Sequence, residues 1–290
     1  MISLQSHSYY DEAVSFSLPG KETMQLSVRR FDRLHPEISG NKWFKLQNWL
    51  SDLVKDESVL SFGGAYSNHL LALSAAGKEL GIKTIGIVRG EEVLNPWIST
   101  MRKNGMILHF VSREAYRLKN QESYLKDLQE LFGKCLIIPE GGAGSTGIEG
   151  AMGMVNEVEL YDWIALPGGT GTSAAGIAKK LQNGSCKVLC FQVLKGESIL
   201  KNELKETSGF DIELFPNLQI DCEYHFGGYA KSNEELKNFQ KQWTEQTGIP
   251  IDLIYGAKAL YGLYDKFQRN ILGENPNLLY IHTGGLGPVV

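Results

Sequence analysis

Short apolar runs and helical patterns alternate along most of this chain, and that alternation constrains the fold more than any other feature. Two strand-like stretches come first, at 14–18 and 25–31. Apolar runs then recur at 59–62, 84–88, 107–111 and 135–138, with helical patterns over 67–80, 97–104 and 113–132 between them. The alternation resumes with a strand at 163–166, a helix from Thr172, a strand at 187–194, a helix over 258–270 and a strand at 278–282. Strands that are apolar throughout are buried on both faces, and helical crossovers between them imply parallel sheets covered by helices. At 290 residues the chain accommodates two modest α/β domains or one large unit.

Composition narrows the function classes. Net charge is −4, with no basic stripe interleaved with aromatics, which argues against nucleic-acid binding. No apolar run approaches the length of a membrane span. The segment 1–19 lacks the cationic start and apolar stretch of a signal peptide. Cys135, Cys186, Cys190 and Cys222 form no Cys-x-x-Cys pair, and His109, His225 and His282 are not spaced with them as zinc ligands. Buried reduced thiols and a cytoplasmic protein are expected, with no metal.

In doubly covered parallel sheets, ligands bind where the carboxyl ends of strands meet helix N-termini. Four glycine-rich turns fall at such ends, at 63–68, 140–147, 167–172 and 283–285. One turn of this kind is a packing detail; four at corresponding positions point to a shared cleft. Pro167-Gly168-Gly169-Thr170-Gly171-Thr172 follows a strand and opens a helix, the setting of a phosphate cradle. No Gly-Lys-Ser/Thr follows, so it is not a Walker loop, and no acidic residue is placed for a ribose. Glu140-Gly141-Gly142-Ala143-Gly144-Ser145 reads more simply as a structural turn.

Lys42 stands where a Gly40-Asn41 turn gives way to an amphipathic helix, among Trp43, Phe44 and Leu46. A solvated lysine is the ordinary expectation. Aromatic surroundings instead favour the free amine that attacks a carbonyl. Lys45 shares the same helical face and stays open as the reactive amine. An amine of this kind opposite a phosphate cradle suits a phosphorylated aldehyde cofactor, pyridoxal 5'-phosphate (PLP). Ser67-Asn68-His69 opens another helix whose N-terminus favours a substrate carboxylate, although Ser67 is equally a plain N-cap. Tyr229, Tyr255 and Thr283 flank turn residues and by themselves read as packing or strand-end groups.

Together these segments resemble the family of 1-aminocyclopropane-1-carboxylate deaminase and D-cysteine desulfhydrase, within the fold type II, tryptophan-synthase-β-like PLP enzymes. The resemblance runs from about Gly40 to Gly285, through Gly-Asn-Lys, Gly-Gly-x-x-Ser-Asn-His and His-Thr-Gly-Gly in order. It implies two three-layer α/β/α domains with mostly parallel sheets and PLP in the cleft between them. The large domain would comprise 1–47 and 155–290, and the small domain would be a central insertion of 48–154. It further implies that Lys42 carries the cofactor and Lys45 assists at the phosphate. Asn68 would bond the phenolic oxygen, Ser67 and His69 would face the substrate, and Gly168, Gly169, Thr170, Gly171 and Thr172 would cradle the phosphate. Tyr229 and Tyr255 match the family's tyrosine pair. A homodimer is the expected assembly, and a small amino acid the expected substrate.

The chain departs from the family pattern at Phe44, where arginine is usual, and at Gln47, where glutamate is common. More telling is Gly256 after the second tyrosine, where the deaminases carry glutamate, while Thr283 matches the desulfhydrases. A carboxylate beside the pyridine nitrogen makes a strong electron sink; a hydroxyl makes a weaker one. Ring opening needs the stronger sink, whereas expulsion of a thiolate manages with the weaker. α,β-Elimination of D-cysteine is therefore the expected reaction. Ring-opening deamination or racemisation on the same scaffold is the nearer alternative, and a non-catalytic nucleotide- or anion-binding protein the farther one.

Overall fold

In the computed structural model, which describes residues 8–51, 53 and 57–287, the alternation forms two sheets. In chain order the elements begin with β1 (Asp11–Phe16), β2 (Met24–Arg29), α1 (Asn41–Leu50), β3 (Ser58–Gly64) and α2 (Asn68–Leu80). They continue with β4 (Thr84–Arg89), α3 (Pro96–Lys103), β5 (Ile107–Val111), α4 (Arg113–Tyr116), α5 (Glu122–Phe132) and β6 (Cys135–Ile138). Next come α6 (Ser145–Ala151), β7 (Trp163–Gly168), α7 (Thr172–Lys180), β8 (Lys187–Gln192), α8 (Ile199–Ser208) and β9 (Leu218–Asp221). The chain closes with α9 (Glu234–Thr247), α10 (Gly256–Gln268) and β10 (Leu278–Ile281).

The larger sheet runs β1-β2-β10-β7-β8-β9, and the smaller β5-β4-β3-β6. β1 and β2 are antiparallel; the other neighbours are parallel. Successive strand residues face opposite sides, so the central strands feed two cores. In β7, Ile164 and Leu166 join α7 and α8 residues such as Ala175 and Leu204. Trp163 and Ala165 face the other way, towards Trp243 of α9 and Leu260 of α10. In the smaller sheet, Val59 packs with Leu73 of α2 and Ile98 of α3, whereas Leu60 and Phe62 pack with Tyr116 and Leu128. Each sheet is thus the middle of three layers.

α1 links the two units. Phe44 enters the core of the larger sheet, while Leu46 and Leu50 enter that of the smaller one. α6 leans the same way, with Ile148 and Ala151 in the larger sheet's core.

Two expectations are corrected. The helical pattern over 113–132 is broken between α4 and α5. The break lets Tyr116 pack its ring 6.3 Å from that of Phe62, and brings the Lys119 amine 3.5 Å from Glu140. Cys135, Cys186 and Cys190 are buried free thiols as expected, but Cys222 is only half-buried. Among the described residues, no helix is long and apolar enough to cross a membrane.

Candidate active site

The strand ends of both sheets open onto one cavity of about 360 Å³. All of the residues singled out line it: Lys42 and Lys45; Ser67, Asn68 and His69; 168–172; Tyr229 and Tyr255; and Thr283. They come from both units, so the fold brings together segments far apart in sequence.

The start of α1 is fixed by a close crossing. Gly40 (φ 70°) leads into the helix, and a Cβ there would sit 1.8 Å from the carbonyl oxygen of Thr283. Only glycine permits both the left-handed backbone and that approach, and the Gly40-Asn41-Lys42 turn is thereby held against Thr283. Asn41 then orients the lysine: the Lys42 amine donates to Asn41 Oδ1 at 2.8 Å, and Asn41 Nδ2 donates to Ser173 Oγ at 2.8 Å. Burial lowers the Lys42 pKa to about 8, against a partial opposing pull from Asp252. A free amine is therefore accessible near neutrality.

Lys45 lies one turn on, almost wholly enclosed, and donates to the Gly141 carbonyl at 2.6 Å. Burial, and then the Lys42 charge, hold its pKa well below the usual lysine range. Its place differs from that of Lys42. Gly141 packs against Thr170, whose methyl lies 3.0 Å from where a Gly141 Cβ would be, so Lys45 reaches the glycine-rich loop after β7. The turn at 140–145 is thus part of the cavity wall as well as a structural turn.

That loop is a cradle. Gly171 (φ 75°) is the residue before α7, and a Cβ there would be 2.8 Å from Leu204. A Cβ at Gly169 would meet the Tyr255 ring at 3.1 Å. Thr170 and Thr172 hydroxyls are 2.9 Å apart, and the first amides of α7 face the same space, where an anion is favoured. Gly168 has a different reason to be small: its Cβ would be 2.5 Å from Cys190 Sγ and 2.6 Å from Leu200.

At the start of α2, Ser67 does serve as N-cap, accepting from the Leu70 amide at 3.2 Å. Asn68 Oδ1 accepts from Trp97 Nε1 at 2.9 Å, which fixes the amide and leaves Nδ2 as its donor. His69 is buried with Nε2 at 2.9 Å from Ser61 Oγ, and Ser61 spends its proton on the Ile138 carbonyl at 2.7 Å. The imidazole must therefore donate from Nε2, leaving the buried Nδ1 lone pair without a partner. Burial and the two lysine charges hold its pKa well below the usual histidine range, so it stays neutral.

Tyr229 and Tyr255 face each other with ring centroids 6.0 Å apart at 72°. Burial raises both; contact between the two hydroxyls lowers Tyr229 and raises Tyr255, so Tyr229 is the more acidic phenol.

Sequence reasoning missed Asp252. Its Oδ1 accepts from the amides of Ile254 and Tyr255 at 2.8 and 2.7 Å, and its Oδ2 from that of Gly256 at 3.0 Å. Burial raises its pKa and these amides oppose the rise. An aspartate three residues ahead of Tyr255-Gly256 was the available signal, since such residues cap helix starts. Arg89 and Lys119, which also line the cavity, escaped notice, and Glu140 was read only as part of a structural turn.

The cavity fits PLP on its own features: a glycine- and threonine-lined loop at the N-terminus of α7, a buried amine with lowered pKa, and an orphaned imidazole nitrogen. The profile of the family described as "Pyridoxal-phosphate dependent enzyme" matches residues 30–284. The chain is 30% identical over 277 residues to a putative 1-aminocyclopropane-1-carboxylate deaminase of Pyrococcus horikoshii, covering 89% of this chain and 84% of that one. It is 28% identical over 306 residues to a mitochondrial bifunctional D-cysteine desulfhydrase/1-aminocyclopropane-1-carboxylate deaminase of Arabidopsis thaliana, covering 93% and 75% of the two chains. The crystal structure of an ACC deaminase homologue superposes with a TM-score of 0.77 at 28% identity, over 97% of this chain and 90% of that one. The chain belongs to the pyridoxal-phosphate dependent enzymes, in the family of 1-aminocyclopropane-1-carboxylate deaminases and D-cysteine desulfhydrases.

Proposed function

We propose that the protein catalyses α,β-elimination of D-cysteine, with water, to pyruvate, sulfide and ammonia. The observation that carries this reading is Gly256 beside Tyr255, together with Thr283 lining the cavity. Asp252 bears on it: the carboxylate beside Gly256 accepts three backbone amides, which anchors it to the start of α10. A D-cysteine desulfhydrase of Klebsiella pneumoniae is among the relatives, 23% identical over 90% of this chain and 87% of that one.

When bound, PLP supplies the electron sink for the pair left at the substrate Cα. Lys42 would hold the cofactor by its amine and would move the substrate α-proton at Nζ. Thr170, Thr172 and the first amides of α7 hold the phosphate, with Lys45 beside them. Asn68 Nδ2 donates to the phenolic oxygen, and Ser67 and His69 bind the substrate. Tyr229, the more acidic phenol, protonates the departing sulfur. The chain acts as a homodimer in the cytoplasm in this proposal. It divides into a large unit of 1–47 with 155–290 and a central unit of 48–154, from which α6 reaches into the large core.

The test is product stoichiometry. Sulfide, pyruvate and ammonia should appear in equal amounts from D-cysteine, and L-cysteine should react more slowly. Absence of sulfide from D-cysteine would reject the reading.

Two further outcomes follow from the geometry. Thr172→Val removes a hydroxyl at nearly constant volume and should weaken PLP binding about tenfold or more, given ~1.5–3 kcal/mol for a hydrogen bond to a charged group. Thermal stability should change little. Equilibrium dialysis checks this, and unchanged affinity would remove Thr172 from the cradle. Gly171→Val is a poorer probe, since φ 75° and the Leu204 contact make it destabilising too. Secondly, cofactor attachment to the apoprotein requires neutral Lys42. Because burial lowers that pKa from 10.5 to about 8, the attachment rate should rise with pH and level off above about 8. A rate still climbing through pH 10 would contradict the depressed amine.

A further inference from the structure

We propose that Lys258 is a positioning residue that sets the tyrosine pair, tying the turn that carries Tyr229 to the helix that starts directly after Tyr255. The inference rests on the reading of Tyr229 as substrate-facing. Lys258 lies in the first turn of α10 and is 0% exposed. Its amine donates to the carbonyls of His225 at 2.9 Å and Gly228 at 2.7 Å. Its bonds go to two carbonyl oxygens and not to a carboxylate. Enclosing a lysine is costly, and an apolar residue would fill the slot better if packing were its sole task.

The turn it grips needs gripping. Phe226, Gly227, Gly228 and Ala230 have φ of 51°, 92°, 110° and 56°, left-handed values that side-chain-bearing residues resist. The turn closes on itself through backbone bonds such as Lys231 N–H to the Gly228 carbonyl at 3.1 Å, and side chains of α10 anchor its start. Tyr224 donates to Asp265 at 2.6 Å, and the Phe226 ring lies 5.1 Å from that of Tyr261. Lys258, Tyr261 and Asp265 share one face of α10. The Lys258 bond to Gly228 reaches the residue next to Tyr229, which is 39% exposed at the cavity and meets the Tyr255 ring there. One rigid helix thus fixes both tyrosines, and their 6.0 Å spacing follows from it.

The experiment compares holoenzyme with Lys258→Met, alone and combined with Tyr229→Phe. Amide exchange at 226–231 should rise roughly tenfold or more with α9 unaffected, as expected of local opening. kcat should fall about 10- to 100-fold, the scale of a small misplacement, with KM and the cofactor absorbance little changed. In the Tyr229→Phe background Lys258→Met should cost less than about threefold further, because both changes act through one phenol. Lys258→Gln, which keeps a donor, should recover part of the exchange protection, and serves if the methionine variant does not fold. Unchanged exchange at 226–231, or losses that multiply in the double variant, would overturn the proposal. A loosened turn with unchanged kcat would instead refute the substrate-facing Tyr229 on which the role depends. If the wild type releases no sulfide from D-cysteine, the same comparison on the substrate it does turn over decides the role separately from that reading.

Discussion

Lys42→Ala is expected to abolish the visible absorption of the bound cofactor and to lower kcat/KM by about 10³-fold or more, within the range that a positioned proton-transfer group contributes. On the proposed roles the alanine removes both the amine that attaches the aldehyde and the group that moves the α-proton, so the two losses act together. The cradle after β7 is untouched, and the variant should still bind PLP, weakly and through its phosphate. The competing amine is Lys45, which is also buried with a depressed pKa. We favour Lys42 because its amine is oriented by Asn41, which is itself tied to Ser173 at the start of α7, whereas the Lys45 amine is committed to the Gly141 carbonyl. Borohydride reduction followed by peptide mapping checks this. A pyridoxyl group on Lys45 would refute the assignment.

The second large effect is one of substrate choice. Sulfide release from D-cysteine should exceed ammonia release from 1-aminocyclopropane-1-carboxylate by about ten- to a hundredfold. A carboxylate beside the ring nitrogen would add one charge-assisted hydrogen bond, ~1.5–3 kcal/mol, and each 1.36 kcal/mol is about tenfold in rate. Thiolate expulsion tolerates that deficit better than carbon–carbon cleavage. The local packing explains why the deficit is not readily repaired. A Cβ at Gly256 would lie 3.2 Å from Asp252 Oδ2 and 3.3 Å from Ile251 Cβ, so a side chain there requires Asp252, which accepts the Gly256 amide, or Ile251 to shift. Gly256→Glu is therefore expected to disturb Tyr255 before it confers deaminase activity.

The parallel strands were legible because burial on both faces leaves an unbroken apolar run, as in Cys135 to Ile138 and the start of β7. The cleft was legible because glycines mark places where backbones cross or amides must face a ligand. Gly40 shows why two distant motifs occur together: it is small because Thr283 passes over it, which a single sequence cannot reveal. The gap between α4 and α5 was hidden for a related reason. The polar pattern through 117–121 suits a helix, and the Phe62 and Glu140 contacts that break it are long-range. Asp252 and Lys258 escaped notice because each acts on backbone groups, Lys258 on carbonyls some thirty residues away in sequence. Ser67 carried a capping signal and a ligand signal at once; it caps α2 and lines the cavity.

The most direct measurement is a pair of initial-rate assays on purified holoenzyme, sulfide from D-cysteine and ammonia from 1-aminocyclopropane-1-carboxylate, at matched cofactor loading. Faster sulfide release, with ring opening slower by a factor of ten or more, is the expected result. Robust ring opening with no sulfide from either cysteine enantiomer would contradict the roles given to Gly256 and Thr283.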